Sequence, residues 1–154
     1  MVKALGGNGK VAVLEGIPGH ETGDSRLKGF RQAVAAAPGI EIVSSQTANW
    51  ERDQGYNVFQ NMLQANPGIQ GLFACSDLMA LGAVEAIAAA GKTGKIVVVG
   101  FDALPEARAA ITGYVLHKSW ALRFAKMARK WGVPIVIGGP GVSSWPEAAI
   151  GVFD

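Results

Sequence analysis

The sequence predicts an α/β fold in which helices cover both faces of a parallel sheet. Short apolar runs with the length of buried strands alternate with segments of helical periodicity, at about 25 to 30 residues per repeat. The run KIVVVGFD (95–102) is apolar on both faces, as a central strand of a parallel sheet is. Repeated β-α units joined by right-handed crossovers build a three-layer, doubly wound sheet. We expect one domain with this architecture.

The first two β-α units have clear boundaries. KVAVLEG (10–16) is rich in β-branched residues and predicts a buried strand. A helix follows over about residues 24–37, where apolar side chains recur on one face until Pro38-Gly39 ends it. IEIVSSQ (40–46) alternates between apolar and polar residues and predicts the second strand. The second helix is predicted over 51–65.

The later units continue the same succession. GLFACS (71–76) predicts the third strand, and Ser76-Asp77 caps the small-residue helix that follows it. The fourth strand is 95–102, and the succession predicts the flavodoxin-like strand order 2-1-3-4-5, with one further strand at the edge as an alternative. The elements predicted beyond it are a short helix (105–111), a weaker strand (114–117), a helix (120–131), a strand (133–139), a helical turn (146–149) and an edge strand (151–154).

Composition excludes several classes of function. The net charge of +2 over 154 residues gives no basis for binding nucleic acid or an anionic membrane, and no apolar run is long enough to span a bilayer. Cys75 is the single cysteine, which rules out a disulfide within the chain, and we expect a buried thiol. No acid–base pair, activated nucleophile or metal signature is evident, so we expect neither an enzyme nor a cofactor. No leader precedes GGNGK, which predicts a cytoplasmic location for the chain as expressed.

Polar and aromatic residues follow the predicted strands, where ligands of such sheets bind. Arg26 offers a planar fork of donors, Trp50 a flat apolar face, and Asp102 two acceptor oxygens. Ser76 and Asp77 stand at a helix N-terminus, where N–H groups point outward. Together these five residues offer a donor fork, a stacking ring, a hydroxyl and carboxylates, which suit a polyhydroxylated ring, and we predict that they form a sugar half-site. Plain structural roles are the alternative: a helix cap for Ser76 and Asp77, a loop position for Asp102, and packing for Trp50.

Four segments carry a resemblance to a known family. GKVAVLEGIPG, SRLKGFRQAV, NWERDQGYNVFQNMLQANPGIQGLFACSDLMALGAVEAIAAAGK and IVVVGFDALPEA, within residues 8–111, resemble the C-terminal lobe of periplasmic sugar-binding proteins of the ribose-binding type. Lactose-repressor-type regulators share this lobe. The resemblance implies that Arg26 contacts the sugar, that Trp50 stacks on it and that Asp102 binds its hydroxyls. Ser76 stands where the ribose group often has asparagine, and its reach is shorter.

The tail resembles a different family. HKSWALRFAKMARKWGVPIVIGGPGVSSWPEAAIGVFD is similar to the latter part of flavodoxin-like cobalamin-binding domains. That resemblance implies that Gly138 and Gly139 let the backbone approach the nucleotide tail of a corrinoid. The D-x-H-x-x-G motif that ligates cobalt in this family is absent, so cobalt would have no lower ligand from the chain.

The two resemblances meet near residues 111–114. We therefore interpret the chain as an engineered chimera that folds as one α/β domain, with a sugar-binding-protein fragment (1–111) and a cobalamin-binding-domain fragment (112–154). We expect no natural activity and at most a weak, vestigial monosaccharide half-site, in a monomer or weak homodimer; the parent of the first fragment would be periplasmic. The alternatives are a single-lobe sugar-binding module completed by dimerisation, and a corrinoid-binding domain.

Overall fold

Strands and helices alternate without exception in the computed structural model, which describes residues 1–107. The strands are β1 (Asn8–Glu15), β2 (Gly39–Thr47), β3 (Gly71–Ala74) and β4 (Val97–Val99). The helices are α1 (Glu21–Ala35), α2 (Arg52–Ala65) and α3 (Asp77–Ala89). A further helical segment begins at Pro105, whose fixed φ suits the first position of a helix. None of these helices has the length and apolarity needed to cross a bilayer.

The four strands form one parallel sheet in the order β2-β1-β3-β4. This order confirms the doubly wound prediction for the first four strands. Val13 of β1 lies opposite Phe73 of β3, and Phe73 lies opposite Val99 of β4. The fifth strand and the other elements predicted between 114 and 154 lie outside the described residues.

Strand β1 is one of the two inner strands of the described sheet and is covered on both faces. Its four residues from Val11 to Leu14 have no solvent exposure, in keeping with the continuous apolar run of the sequence. The rings of Phe30 from α1 and Phe73 from β3 stack in parallel, with their centroids 4.3 Å apart. Burial of these side chains supplies most of the stabilisation of the layered fold.

Helices α2 and α3 approach closely because each contributes a glycine to the contact. A Cβ atom placed on Gly82 would lie 2.0 Å from the carbonyl oxygen of Arg52. A Cβ atom on Gly55 would lie 2.5 Å from the carbonyl oxygen of Met79. Both obstacles are backbone atoms, so any larger residue would push the helices apart. The contact lies near the first turns of both helices and therefore fixes the loops that precede them.

The observed boundaries differ from the predicted ones mainly at α1 and β4. Helix α1 begins at Glu21 rather than near 24, because the side chains of its first turn are polar and exposed, apart from the buried Gly23, and so lack an apolar period that would reveal the turn. His20 occupies the N-cap without a side-chain hydrogen bond. Strand β4 covers three residues of the predicted 95–102, because the backbone of Asp102 and Ala103 is left-handed and cannot continue a strand.

Candidate functional site

The carboxyl ends of the strands bring Arg26 and Asp102 into contact. Arg26 Nη1 donates to the carbonyl oxygen of Cys75 over 2.7 Å, and Arg26 Nη2 lies 2.8 Å from Asp102 Oδ1. The arginine side chain is 19% exposed and the aspartate side chain 33% exposed. The guanidinium is thus held at two of its nitrogens, while part of the carboxylate remains accessible to a ligand.

Two aromatic rings flank the guanidinium of Arg26. Its carbon Cζ lies 4.0 Å from the centroid of the Phe101 ring and 5.8 Å from the Trp50 ring. A cation over an aromatic face is attracted to the ring's quadrupole. Sequence reasoning missed Phe101. The signal that could have revealed it is an aromatic residue next to Asp102, just beyond the apolar run of the fourth strand.

The Trp50 ring lies against two glycines at the junction of β1 and α1. A Cβ atom on Gly16 would stand 2.1 Å from Trp50 Cζ2, and one on Gly23 would stand 3.0 Å from the same atom. His20 meets the ring edge-on, with the centroids 5.8 Å apart. Trp50 is half-buried, so the ring both packs against backbone and keeps part of its surface exposed.

A hydrogen-bonded turn after β2 holds Trp50 in place. Asn49 and Trp50 both have positive φ, 51° and 67°. The Asn49 N–H donates to Thr47 Oγ1, whose own hydroxyl donates to the carbonyl of Gly16 over 2.6 Å. Asn49 Nδ2 donates to Gln54 Oε1 over 2.7 Å, which ties the turn to α2. Asparagine tolerates the left-handed region better than most residues, whereas tryptophan does so only with such support.

Asp77 lies behind the site. Its side chain is buried, at 1% exposure, and its Oδ2 accepts a 2.7 Å hydrogen bond from the backbone N–H of Leu104. Burial raises the pKa of Asp77, the Leu104 hydrogen bond opposes this rise, and the nearby Asp102 carboxylate adds to it. The contacts of Asp77 in this structure are with the loop after β4.

Ser76 and Cys75 also lie beneath the exposed edge. Ser76 is the N-cap of α3, and its Oγ accepts from the Met79 N–H at 3.5 Å, as a capping residue does. Cys75 is fully buried, as predicted, and desolvation raises the pKa of its thiol to about 11. A thiol of this kind stays protonated at neutral pH and is a poor nucleophile.

The large apolar side chains that are exposed within residues 1–107 also lie at this edge. They are Ile17 after β1, Leu78 at the start of α3 and Leu104 after β4. Exposed apolar groups around a polar centre are typical of surfaces that meet a partner or a ligand. This edge therefore combines a charged pair, two aromatic rings and an apolar rim.

Three of the five predicted sugar contacts come together here. Arg26, Trp50 and Asp102 lie side by side, whereas Ser76 and Asp77 are buried behind them. Gly138 and Gly139, the predicted corrinoid contacts, lie outside the described residues. Residues 1–107 contain no group of three or more histidine, cysteine, aspartate or glutamate side chains that could hold a metal ion.

Comparison with known proteins places the chain in a family. The family model described as the periplasmic binding protein domain matches residues 1–132. The chain belongs to this family of periplasmic binding protein domains. The match continues past the junction predicted near 111–114, so this comparison gives no sign of a change of family there. The predicted fragments 1–111 and 112–154 remain a hypothesis.

Similar curated proteins are sugar-binding proteins by name. The chain is 45% identical over 100 residues to the D-allose-binding periplasmic protein of Escherichia coli K12, an alignment that covers 65% of this chain and 32% of that protein. It is 43% identical over 111 residues to the ribose import binding protein RbsB of Salmonella typhimurium, which covers 72% of this chain and 37% of that protein. This periplasmic binding protein domain thus spans about a third of the length of the relatives it matches.

Solved structures show the same lobe. An ABC transporter periplasmic solute binding protein from Actinobacillus succinogenes 130z, with bound D-allose, is 40% identical and superposes with a TM-score of 0.71, over 88% of this chain and 51% of that chain. A solute binding protein from Bacillus halodurans C-125, with bound myo-inositol, is 35% identical with a TM-score of 0.70, over 73% of this chain and 40% of that chain. Both likenesses support the periplasmic-binding-protein-lobe architecture predicted from sequence.

Proposed function

We propose that residues 1–107 form one wall of a monosaccharide-binding site, in which Arg26, Asp102 and Trp50 contact the sugar. The observation that carries the proposal is the Arg26–Asp102 pair, which lies beside Phe101 and Trp50 at the carboxyl ends of the strands. The names of the relatives, which are binding proteins for ribose and allose, support a non-enzymatic role. The proposed ligand is therefore an uncharged aldopentose or aldohexose.

Each group has a definite task in this proposal. The exposed part of the Asp102 carboxylate accepts hydrogen bonds from adjacent hydroxyls, and the remaining Arg26 N–H groups donate to ring or hydroxyl oxygens. The exposed part of the Trp50 ring covers the C–H face of the sugar. Because Arg26 is already tied to Cys75 and supported by Phe101, little side-chain entropy is lost when the sugar binds.

A single wall binds weakly. Each hydrogen bond contributes about 0.5–1.5 kcal/mol net, so a few of them with one stacked ring correspond to a dissociation constant of about 1 mM or weaker. Affinity in this range is measurable from amide chemical shifts, which also locate the contact. Titration of the whole chain with D-ribose and D-allose tests the proposal.

Arg26→Lys is the informative variant, and Arg31→Lys is its matched control on the same helix. Lysine cannot bond Cys75 and Asp102 through a planar fork. We therefore expect the affinity for the sugar, measured from the chemical-shift titration, to fall about tenfold. Arg31 is exposed and contacts Glu15 and Ser45 rather than Asp102 or the Cys75 carbonyl, so its variant should bind like the original chain. Shifts that are absent, or that avoid residues 16–26, 50 and 101–104, would overturn the proposal.

A second candidate is a module that gains its other wall from a second copy of the chain. The exposure of Ile17, Leu78 and Leu104 at this edge favours it, because an apolar rim is covered in a completed cleft. Sedimentation of the chain with and without sugar distinguishes a monomer with a single-walled site from a dimer with a completed site. Self-association that strengthens with sugar supports the dimer, and a monomer at every concentration excludes it.

The engineered chimera and the corrinoid-binding domain concern residues 112–154 and remain predictions from sequence. A visible-absorption titration with cobalamin tests the corrinoid role directly. Retention of cobalamin on the chain would support it, and an unchanged spectrum without retention would remove it.

A further inference from the structure

The loop that carries Asp102 has an unusual backbone. Asp102 and Ala103 are consecutive residues with positive φ, 94° and 59°, and neither is glycine. Residues other than glycine avoid positive φ because their Cβ atom crowds the backbone. Such a conformation persists only where its surroundings impose it. The contacts that hold this loop therefore determine where the Asp102 carboxylate points.

A single buried carboxylate supplies contacts of this kind from inside the protein. Asp77, the first residue of α3, accepts the Leu104 N–H at 2.7 Å, and the backbone N–H groups of Phe101 and Ala103, like that of Leu104, oppose the rise that burial causes in its pKa. These residues surround Asp102 in sequence. The helix contact through Gly55 and Gly82 fixes the position of α3, so Asp77 is itself held rigidly.

The outer side of the loop has a different anchor. Arg52 Nη1 lies 2.8 Å from Glu106 Oε1, and Arg52 also pairs with Glu85 of α3. These side chains are 40%, 62% and 52% exposed, so water and salt weaken their attraction. The buried contact with Asp77 is the stronger of the two anchors.

We propose that Asp77 is a positioning residue, which holds the 101–104 loop in its left-handed form so that Asp102 meets Arg26 and the sugar. This inference rests on the proposed sugar-binding function. It differs from the role predicted from sequence, in which Asp77 contacts the ligand. In the present geometry Asp77 acts on affinity only through Asp102.

A double-mutant cycle on the whole chain tests this role. The variants are Asp77→Asn, Asp102→Ala and the double variant, with Asp53→Asn as the matched control, because Asp53 lies in the first turn of α2 but is exposed. Asparagine keeps the shape of Asp77 and replaces one acceptor oxygen with a donor. We expect Asp77→Asn and Asp102→Ala each to weaken binding of D-allose or D-ribose about tenfold, and the double variant to bind no more weakly than Asp102→Ala alone.

Amide hydrogen exchange without sugar separates positioning from general destabilisation. Asp77→Asn should speed the exchange of the Leu104 amide about tenfold or more while that of Val13, in the centre of the sheet, changes little. An equal acceleration at both sites, or losses of affinity that simply add in the cycle, would overturn the proposal. Exchange at Leu104 that is as slow in Asp77→Asn as in the original chain would also overturn the proposal.

The same measurements separate this proposal from the function it rests on. If the original chain binds no sugar and Leu104 still loses protection in Asp77→Asn, the proposed function fails while the loop contact is real, and Asp77 then has no role in affinity. If sugar binds and Asp77→Asn binds it equally well, the proposed function holds and the positioning role is wrong.

Discussion

The guanidinium carbon of Arg26 lies 4.0 Å from the centre of the Phe101 ring, while the same guanidinium pairs with Asp102, the next residue along the chain. Two neighbouring residues of one loop thus hold the arginine in two ways, through a ring face and through a carboxylate. This arrangement explains how a long, flexible side chain can be held in one position at the partly exposed edge of the sheet.

Leucine substitutions at Phe101 and Phe30 should distinguish an effect on sugar affinity from an effect on the stability of the fold. We expect Phe101→Leu to weaken sugar binding several-fold, because a cation–π contact contributes about 0.5–2 kcal/mol to fixing Arg26. Phe30→Leu is the comparison, since Phe30 stacks on Phe73 inside the fold; it should lower the free energy of unfolding by about 1 kcal/mol and leave affinity unchanged. Amide titrations and urea unfolding measure the two quantities. Equal effects of both variants on affinity would contradict this expectation.

Gly16→Ala should displace the Trp50 ring. The added methyl group would lie 2.1 Å from Trp50 Cζ2, so the ring must move, and we expect a loss of about 1–3 kcal/mol in the free energy of unfolding. Gly29→Ala is the control, because a Cβ atom there meets nothing within 4 Å and alanine favours a helix by about 1 kcal/mol. Urea unfolding and the indole N–H resonance of Trp50 report the result. An unshifted indole signal in Gly16→Ala would show that the ring does not fill this gap.

Cys75 should make stability fall at alkaline pH. Desolvation raises the pKa of this thiol from 9.0 to about 11 in the folded protein. A raised pKa means that the contribution to stability is complete below the unfolded value and is lost as pH rises through the folded one. We therefore expect a decrease between about pH 9 and 11 that Cys75→Ala removes, measured by urea unfolding at several pH values. A slope that is identical in both proteins would contradict it.

The contribution of Asp77 to stability should depend on pH in the opposite sense to that of a typical ion-paired surface carboxylate. Burial raises its pKa above the ordinary 3.8, so the protonated form favours the folded state, and its contribution to stability declines as pH rises through the raised value. The stability of the original chain relative to Asp77→Asn should therefore be greater near pH 3 than near pH 7. Urea unfolding of both proteins across this range measures the difference. A difference that grows with pH would show that the hydrogen bonds to the ionised form outweigh burial.

Sequence reasoning located the strands, helices and strand order because apolar periodicity and the Pro-Gly and Asn-Pro-Gly breaks report them directly. It also brought Arg26, Trp50 and Asp102 to one edge, since the carboxyl ends of parallel strands share an edge. It could not show which side of that edge each group faces. Asp77 follows Ser76 directly, yet its carboxylate is buried against the loop after β4, a contact that depends on how close α3 packs to α2.

The left-handed backbone of three residues could not be predicted from the sequence for a related reason. Positive φ is expected at glycine, whereas Trp50, Asp102 and Ala103 carry side chains and give no local signal. Their conformation is held by partners elsewhere in the fold. These are Gly16, Gly23 and the hydrogen bonds of Thr47 for Trp50, and Asp77 for the other two. Phe101 was overlooked because the apolar run before it suggested a strand residue rather than a loop residue.

The central position of β1 has a consequence for synthesis on the ribosome. β1 is synthesised before β2 and β3, and β3 begins only at Gly71, so the residues from Val11 to Leu14 emerge long before both of their partner strands exist. During that interval this apolar segment, which the folded lobe buries completely, is a nascent chain without its sheet, and it is open to chaperones or to pairing with other nascent chains. Pauses in translation before residue 71 should therefore lower the yield of native protein more than pauses after residue 100.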